Sequence, residues 1–298
     1  MEKKKLKKDF VDSFNQEYIK KFANKKYPLF SILEFNLHGS CSRRCAFCPR
    51  VDEHLWPNLE EELSMDLFDK ILEDLKQLEY SGRIAFSGFS EPTMHSKLEI
   101  IIKKISEILP AAKTEIVTNG DFLKYENTKA YFDAGLSHLF VSLYTNKRTH
   151  DYLLKLRSDL NLDQENFKIR PRNLGKKNNF GLDLNNRAGS VDYTRIGLKQ
   201  EKILPLKRGC NYPMYVLFVD YNGDCLICPD DWKKKKIVGN LKNEKIIDVW
   251  KKKIFHEVRK SLLKGDRSKD PCNECDVDGM KSGNEFKDKW LEYYQNLN

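Results

Sequence analysis

Three cysteines near the start of the chain constrain its fold and chemistry more than any other feature. Cys41, Cys45 and Cys48 are spaced as Cys-x3-Cys-x2-Cys, directly after an apolar stretch at residues 30–37 that is typical of a β-strand. Thiols this close together in a reducing compartment indicate a metal or cluster site rather than disulfides. A closed structural site has four ligands, so three cysteines leave one coordination position for another group. On these residues alone, a zinc knuckle with a distant fourth ligand is the alternative.

The charge of the chain limits its partners. The 298 residues carry a net charge of +9, mostly from lysines in short, scattered runs. Nucleic-acid-binding proteins cluster basic residues with aromatics on one element, and this sequence has no such stripe. We therefore expect a solvated basic surface and no nucleic-acid partner, with a phosphate-bearing substrate as the alternative explanation.

Membrane and export signals are missing from the sequence. No apolar run approaches the roughly 18 residues that span a bilayer. The N-terminal residues are charged and amphipathic, and they lack the apolar core of a secretory signal. We therefore expect a cytoplasmic protein with no membrane partner.

Strands and helices alternate along the first two-thirds of the chain. The predicted strands after residues 30–37 lie at residues 83–86, 114–118, 138–143 and 167–172, with another near residues 181–184. Amphipathic helices are predicted between the first four strands, and the first of these helices follows Ser64, a residue type that suits an N-cap. This alternation implies right-handed βαβ units and a parallel sheet, so we expect an α/β fold.

The last third of the chain has a different pattern. A β-hairpin is predicted across residues 215–228, followed by a helix at residues 246–258 and a cysteine-bearing tail. We expect a helical extension at residues 1–29, a parallel-sheet core at residues 30–200, and a small α+β domain at residues 201–298.

Two motifs resemble those of the radical S-adenosylmethionine enzymes. The cysteine loop is similar to the cluster loop of that family, and residues 86–92, Phe-Ser-Gly-Phe-Ser-Glu-Pro, stand where the family has a Gly-Gly-Glu-Pro motif. The resemblance implies a partial (β/α)6 TIM-like barrel, with the reacting groups at the carboxyl ends of its strands. It also implies that Cys41, Cys45 and Cys48 hold a 4Fe–4S cluster whose fourth iron is chelated by S-adenosylmethionine.

The same resemblance implies further contacts to S-adenosylmethionine. The residues implied are Gly88, Ser90, Glu91, Pro92, Asn119, Ser142, Arg172 and Arg187. The first four would face the methionine ammonium, with Ser90 where a second glycine is common. Asn119 and Ser142 would face the ribose, and Arg172, with Arg170 nearby, would face the methionine carboxylate. Arg187, in an Asn-Arg-Ala-Gly stretch, could instead bind substrate or join the two domains.

Five more cysteines in the last third give two possible sets of four. Cys225-x2-Cys228 with Cys272-x2-Cys275 would form a zinc ribbon. Cys210, Cys228, Cys272 and Cys275 instead resemble the twitch domain, a shortened form of the SPASM extension of the radical family. That resemblance implies a second, fully ligated 4Fe–4S cluster, and it leaves Cys225 outside the site.

The reaction depends on what happens to a substrate radical. With an auxiliary cluster as electron acceptor, a secondary alcohol becomes a ketone, and Asp231, Asp230 or Glu91 could accept the proton. With Cys225 as hydrogen-atom donor, the outcome is epimerisation of a sugar or peptide. We expect the first reaction, on a small carbohydrate or cyclitol-like substrate. A flavodoxin- or ferredoxin-type protein would donate the electron. A non-catalytic protein with two zinc sites is the alternative from another class.

Overall fold

An eight-stranded sheet forms the centre of the computed structural model, which describes residues 15–25, 28–144, 146–172 and 184–296. Within these ranges the strands are β1 (Ile32–Phe35), β2 (Arg83–Phe86), β3 (Lys113–Thr118), β4 (His138–Leu143), β5 (Phe167–Pro171), β6 (Val216–Val219), β7 (Asp224–Leu226) and β8 (Ile237–Asn240). Their order across the sheet is β5-β4-β3-β2-β1-β6-β7-β8. Every pair from β5 to β6 is parallel, and β7 and β8 are added antiparallel.

Helices precede, join and follow the strands, and those that join β1 to β4 lie where the sequence predicts them. They are α1 (residues 15–23), α2 (Met65–Gln77), α3 (Leu98–Ile108), α4 (Tyr125–Asp133), α5 (Lys147–Asp159), α6 (Tyr212–Tyr215), α7 (Ile246–Trp250), α8 (Lys253–Leu263) and α9 (Lys287–Gln295). The α/β architecture with a mostly parallel sheet is confirmed, and it is consistent with a partial barrel. Over the part of the chain that the structure covers, no helix is both long and apolar enough to cross a membrane.

The sheet crosses the expected boundary between the two domains. β6 follows residue 200, yet it pairs with β1 in parallel, with Ile32 opposite Val216 and Phe35 opposite Val219. The strand predicted near residues 181–184 lies outside the described residues except for Leu184, which is not in a strand. The predicted hairpin is confirmed, since β6 and β7 are antiparallel. Its first strand is therefore also a member of the parallel sheet.

The main core lies between the sheet and the helices. Helix α2 buries Leu67, Ile71 and Leu75 at helical spacing. Its N-cap is Ser64, whose hydroxyl accepts a hydrogen bond from the Leu67 amide at 3.3 Å. The same core continues to Trp250 of α7, so the C-terminal part shares its apolar interior with the parallel sheet.

A second apolar cluster joins both ends of the chain. It contains Ile19 of α1, Met214 of α6, Leu262 of α8, and Trp290 and Tyr294 of α9. The N-terminal helix therefore packs against the C-terminal helices.

Candidate functional site

A cavity of about 380 Å³ opens at the carboxyl ends of the parallel strands, a size typical of small-molecule sites. Its lining includes the three cysteines of the N-terminal loop and the turn after β2. Residues at the ends of β3, β4 and β5 also line it, as do Arg187, Pro229 and Trp232 from later in the chain. The carboxyl ends of parallel strands meet at one edge of a sheet, so motifs that are distant in the sequence are brought together here.

The N-terminal cysteines are close enough for their charges to interact. Burial, together with the charges of the neighbouring Cys48 and Cys41 thiolates, raises the pKa of Cys45 to about 12. Three thiolates cannot share such a site without a compensating positive charge. A bound metal or cluster supplies that charge, because thiols ligate as thiolates.

Two arginines that sequence reasoning missed hold this cysteine loop in place. Arg50 is buried, and its guanidinium donates to the carbonyl oxygens of Gly39, at 2.8 Å, and Phe89. Arg43 donates to the Asp121 carboxylate, with Nε at 2.8 Å. Arg50 directly follows Cys48-Pro49, but its partners could be found only from the folded chain.

The turn after β2 needs small residues. Gly88 has a φ of +101°, and a Cβ at this position would lie 2.9 Å from the Phe218 ring. Ser90 donates its hydroxyl hydrogen to Oδ1 of Asn36 at 2.6 Å. Asn36 in turn donates to Asp220 at 2.6 Å, so the turn is tied to the chain segments that follow β1 and β6.

Glu91 connects this turn to the end of β3. Its carboxylate accepts hydrogen bonds from the Thr118 hydroxyl at 2.6 Å, from the Asn119 amide at 2.8 Å, and from Thr93. Burial raises the pKa of Glu91, although the hydrogen bonds from Asn119, Thr118 and Thr93 oppose the rise. Its hydrogen-bonding capacity is thus largely used within the protein, and the geometry gives no support to a role as substrate base.

The predicted polar contacts reach the cavity from three neighbouring strands. The Asn119 side-chain amide donates to the Ser42 hydroxyl at 2.9 Å, next to Cys41. Arg170 donates to the Ser142 hydroxyl at 3.4 Å, and its buried Nε has no hydrogen-bond partner among the described residues. Burial, together with the charge of Arg172, lowers the pKa of Arg170 to about 10. An anionic group in the cavity would offset both the burial of the Arg170 charge and its repulsion by the Arg172 charge.

Of the predicted cofactor residues, all except Pro92 are among the described residues that line the cavity. Pro92 is buried at the start of a short 3₁₀ helix, where it fixes the turn instead. Glu34 of β1 also lines the cavity, and sequence analysis missed it. It accepts a hydrogen bond from Ser87 at 2.6 Å, and burial raises its pKa despite this bond. A charged residue within an apolar strand was the signal that could have identified it.

Four of the five C-terminal cysteines lie near one another. Burial raises the pKa of Cys228, and the charges of Asp230, Cys210 and Cys275 raise it further. Burial also raises the pKa of Cys272, with added contributions from Cys210 and Cys275. The thiols of this set therefore interact electrostatically with one another.

Cys225 does not belong to this group. It is fully buried in the main core, and its Sγ lies 3.9 Å from the Gly223 carbonyl oxygen. Burial raises its pKa, and the neighbouring charges that contribute come from Glu244 and Asp224 rather than from other cysteines. The cysteine charges that act on Cys228 and Cys272 thus come from Cys210 and Cys275, and none of the charges that act on Cys225 comes from a cysteine.

The two predicted catalytic side chains are not brought to the cavity. Neither Cys225 nor Asp231 is among its described lining residues. Asp231 is buried and accepts hydrogen bonds from the amides of Lys235, at 3.0 Å, and Lys236, at 2.8 Å. These contacts fold the loop after Cys228 and engage both carboxylate oxygens of Asp231.

The positions of the thiols can be compared with what a single zinc ion and a 4Fe–4S cluster each require. In the described ranges, no three His, Cys, Asp or Glu side chains are placed to hold one metal ion. A zinc ion needs all its ligand atoms within about 2.3 Å of one point. In a 4Fe–4S cluster each thiolate binds a different iron, so the thiols need not meet at one point. The two cysteine sets therefore fit clusters in donor type and number, with three thiols at an open site and four at a closed one.

Comparisons with known families agree with this arrangement. The family model of the radical SAM superfamily matches residues 35–164, and that of an iron-sulfur cluster-binding domain, SPASM, matches residues 210–276. Together they cover the N-terminal cysteine loop, the cavity strands β2 to β4, and the C-terminal cysteines.

Individual relatives cover most of the chain. The S-adenosyl-L-methionine-dependent 2-deoxy-scyllo-inosamine dehydrogenase of Niallia circulans is 27% identical over 250 residues, 83% of this chain and 93% of the relative. The GTP 3′,8-cyclase of Aquifex aeolicus is 28% identical over 227 residues, 75% of this chain and 65% of the relative.

Solved structures give the same result. The crystal structure of BtrN in complex with AdoMet and 2-DOIA has a TM-score of 0.71 and 25% identity, covering 84% of this chain and 94% of that chain. Residues 35–164 therefore match the radical SAM superfamily, whose domain binds a 4Fe–4S cluster and S-adenosylmethionine, and residues 210–276 match a C-terminal iron-sulfur cluster-binding domain.

Proposed function

We propose that the protein is a radical SAM dehydrogenase that oxidises a secondary alcohol of a small carbohydrate or cyclitol-like substrate to a ketone. The observation that carries this proposal is a second group of four thiols next to the cavity that holds the first three. A relative that spans most of the chain is named as a dehydrogenase of 2-deoxy-scyllo-inosamine, which supports the same reaction class.

Each cysteine set has a proposed cluster. Cys41, Cys45 and Cys48 would hold the cluster with an open iron, within a partial (β/α)6 barrel at residues 30–200. Cys210, Cys228, Cys272 and Cys275 would hold the auxiliary cluster, in the domain at residues 201–298. When bound, the first cluster and S-adenosylmethionine supply a 5′-deoxyadenosyl radical that removes a hydrogen atom, and the second cluster supplies an acceptor for one electron.

Protein groups around the cavity would position the S-adenosylmethionine. The small residues Gly88 and Ser90 let the backbone of the turn after β2 approach the ligand closely. Asn119 and Ser142 offer hydrogen-bonding groups from the ends of β3 and β4, and Arg172 offers a guanidinium to the methionine carboxylate.

Other lining residues suit a small polar substrate. The Glu34 carboxylate can accept hydrogen bonds from hydroxyl or amino groups. Arg170, on β5, can donate hydrogen bonds to the hydroxyl oxygens of a substrate. Phe89 and Trp232 pack together with ring centroids 4.5 Å apart and give the cavity an apolar wall that excludes water.

The placement of Cys225 disfavours epimerisation. A hydrogen-atom donor must reach the substrate radical, and Cys225 is buried in the core away from the described lining of the cavity. The thiols that do line it are the three proposed ligands of the first cluster, so none of the described cavity thiols is spare.

An electron must reach the first cluster from outside the chain. We propose a flavodoxin- or ferredoxin-type donor, because such partners are acidic and the net charge of this chain is +9. Thiolate-ligated clusters also suit the reducing cytoplasm.

A mass measurement tests the reaction. Reconstituted, reduced protein is incubated with S-adenosylmethionine and a panel of aminocyclitols and sugars in deuterated water. Dehydrogenation gives a product lighter by two hydrogen atoms together with 5′-deoxyadenosine. A product that differs from the substrate in mass only because one hydrogen atom has been replaced by a solvent deuterium would show epimerisation instead and contradict the proposal. The Cys45→Ala variant is the control, and we expect it to form neither product.

A further inference from the structure

The segment Asn185–Gly189 lies between the two cysteine sets. Its second residue, Asn186, is buried and binds the chain just beyond Cys275. The Asn186 backbone amide donates to the Asp276 carboxylate at 2.8 Å, and the Asp276 amide donates back to Oδ1 of Asn186 at 3.3 Å. The side-chain amide of Asn186 also donates to the Glu274 carbonyl oxygen at 2.7 Å. These reciprocal bonds fasten the segment to the C-terminal cysteine pair.

The backbone of the segment is held in an uncommon conformation. Arg187, Ala188 and Gly189 have φ values of +47°, +48° and +80°. Left-handed conformation costs non-glycine residues roughly 1–2 kcal/mol each, and such strain persists only where the surroundings enforce it. Ala188 is buried against Cys275, and a Cβ on Gly189 would come within 2.5 Å of the Glu274 carboxylate.

This conformation directs the Arg187 side chain between the two cysteine sets. Its Nη1 lies 2.7 Å from Oδ1 of Asp230, a buried carboxylate. The Asp230 amide is 3.4 Å from Sγ of Cys228. On the other side, Arg187 and Cys48 both line the cavity. Burial raises the pKa of Cys48, and the Arg187 charge opposes that rise, so the guanidinium acts on the first set as well.

We propose that the Arg187–Asp230 ion pair is a charge-balancing, positioning pair that sets the reduction potential of the auxiliary cluster. The inference rests on the proposed ligation of that cluster by Cys210, Cys228, Cys272 and Cys275. Arg187 is then the residue that keeps the buried Asp230 carboxylate from acting as an uncompensated negative charge beside Cys228.

Electrostatics gives the direction in which each substitution changes the reduction potential of the auxiliary cluster. Reduction adds an electron, so a nearby negative charge disfavours the reduced cluster and lowers its potential, and a positive charge raises it. Removing the Arg187 charge leaves Asp230 unpaired and should lower the potential. Removing the Asp230 charge leaves Arg187 unpaired and should raise it. Removing both restores the charge balance.

Potentiometric titration followed by electron paramagnetic resonance tests the pair in the reconstituted full-length protein. The variants are Arg187→Gln, Asp230→Asn and the double variant. We expect the potential of the auxiliary cluster to fall in the first, rise in the second and return close to the parent value in the third. Added S-adenosylmethionine changes the signal of the open cluster and so distinguishes the two. Arg195→Gln is the matched control, because its partner Asp52, 3.2 Å away, is 21% exposed whereas Asp230 is 4% exposed, so solvent screens the Arg195–Asp52 pair more strongly.

The outcomes separate this inference from the function on which it rests. Shifts of the same sign in both single variants, or no shift in either, would overturn the charge-balancing role while leaving the auxiliary cluster in place. Iron for only one cluster in the parent protein would overturn both the ligand assignment and this inference. Opposite shifts that cancel in the double variant would support it, since a purely structural role does not produce cancellation.

Discussion

At the scale of single residues, contacts from other strands hold the turn after β2: Glu91 accepts hydrogen bonds from Thr118 and Asn119, and Gly88 lies against the Phe218 ring. The motif after β2 predicted that Gly88, Ser90 and Glu91 belong to one site, and all three line the cavity. The role of Glu91 depends on Thr118 and Asn119, which lie on another strand, so no local pattern could reveal it. Arg50 was missed for the same reason, since its acceptors are backbone carbonyls from distant loops.

Gly88→Ala tests the need for a small residue in the turn after β2. The variant combines positive-φ strain with a contact of 2.9 Å to the Phe218 ring. We expect a loss of about 2–4 kcal/mol in the free energy of unfolding and weaker S-adenosylmethionine binding, measured by denaturation and by equilibrium titration. Gly197→Ala is the matched control, because it has a φ of +69° but nothing within 4 Å. It should lose only about 1–2 kcal/mol and bind normally, and equal effects in both variants would contradict a steric role.

Cys225→Ala tests whether this thiol is structural. Since Cys225 is fully buried in the main core, we expect a loss of about 1–2 kcal/mol in stability from the small cavity. Iron content and product formation should not change. Cys228→Ala should instead lose the iron of the auxiliary cluster. If a Cys225→Ala protein keeps its iron and forms 5′-deoxyadenosine but yields no product, Cys225 takes part in the reaction and the structural role is wrong.

At the scale of elements, periodicity located most of the parallel sheet. Strands β2 and β4 have the predicted bounds, and α2 begins after Ser64 as expected. The helix predicted at residues 246–258 is two helices, α7 and α8, because the chain turns at Lys251 and Lys252. Neither residue is a helix breaker such as glycine or proline, so the pattern alone gave no sign of the break. Helix α5 was not predicted, since its charged face dominates its sequence.

Ser64→Ala tests the predicted N-cap of α2. The variant removes the acceptor for the Leu67 amide, and we expect a loss of about 1 kcal/mol in the free energy of unfolding. Ser158→Ala is the control, because Ser158 is exposed within α5 and alanine is the better helix former there. Chemical denaturation measures both. Equal stability of the two variants would mean that water replaces the cap without cost.

At the scale of the whole molecule, the division at residue 200 does not coincide with a break in the sheet. β6 pairs with β1, and backbone bonds of 2.9 Å join Ser31 to Tyr215 and Asn36 to Val219. The sequence could not predict this pairing. Residues 215–220 followed by a tight turn predict a hairpin, and nothing local shows that the first hairpin strand also has a parallel partner 184 residues earlier in the chain.

Truncation after residue 200 tests whether the N-terminal core folds alone. The fragment lacks β6, so the backbone N–H and C=O groups of β1 that bond to β6 lose their partners. The apolar residues that pack against Leu217 and Val219 also become exposed. We expect it to aggregate or to unfold without a cooperative transition, as measured by circular dichroism and analytical ultracentrifugation.

Loss of the auxiliary cluster could give the same result, so the control is the full chain with Cys210, Cys228, Cys272 and Cys275 all replaced by alanine. That variant retains β6, and we expect it to keep its secondary structure and a cooperative transition at lower stability. A soluble, cooperatively unfolding fragment of residues 1–200 would show instead that the core is independent and that β6 only extends it.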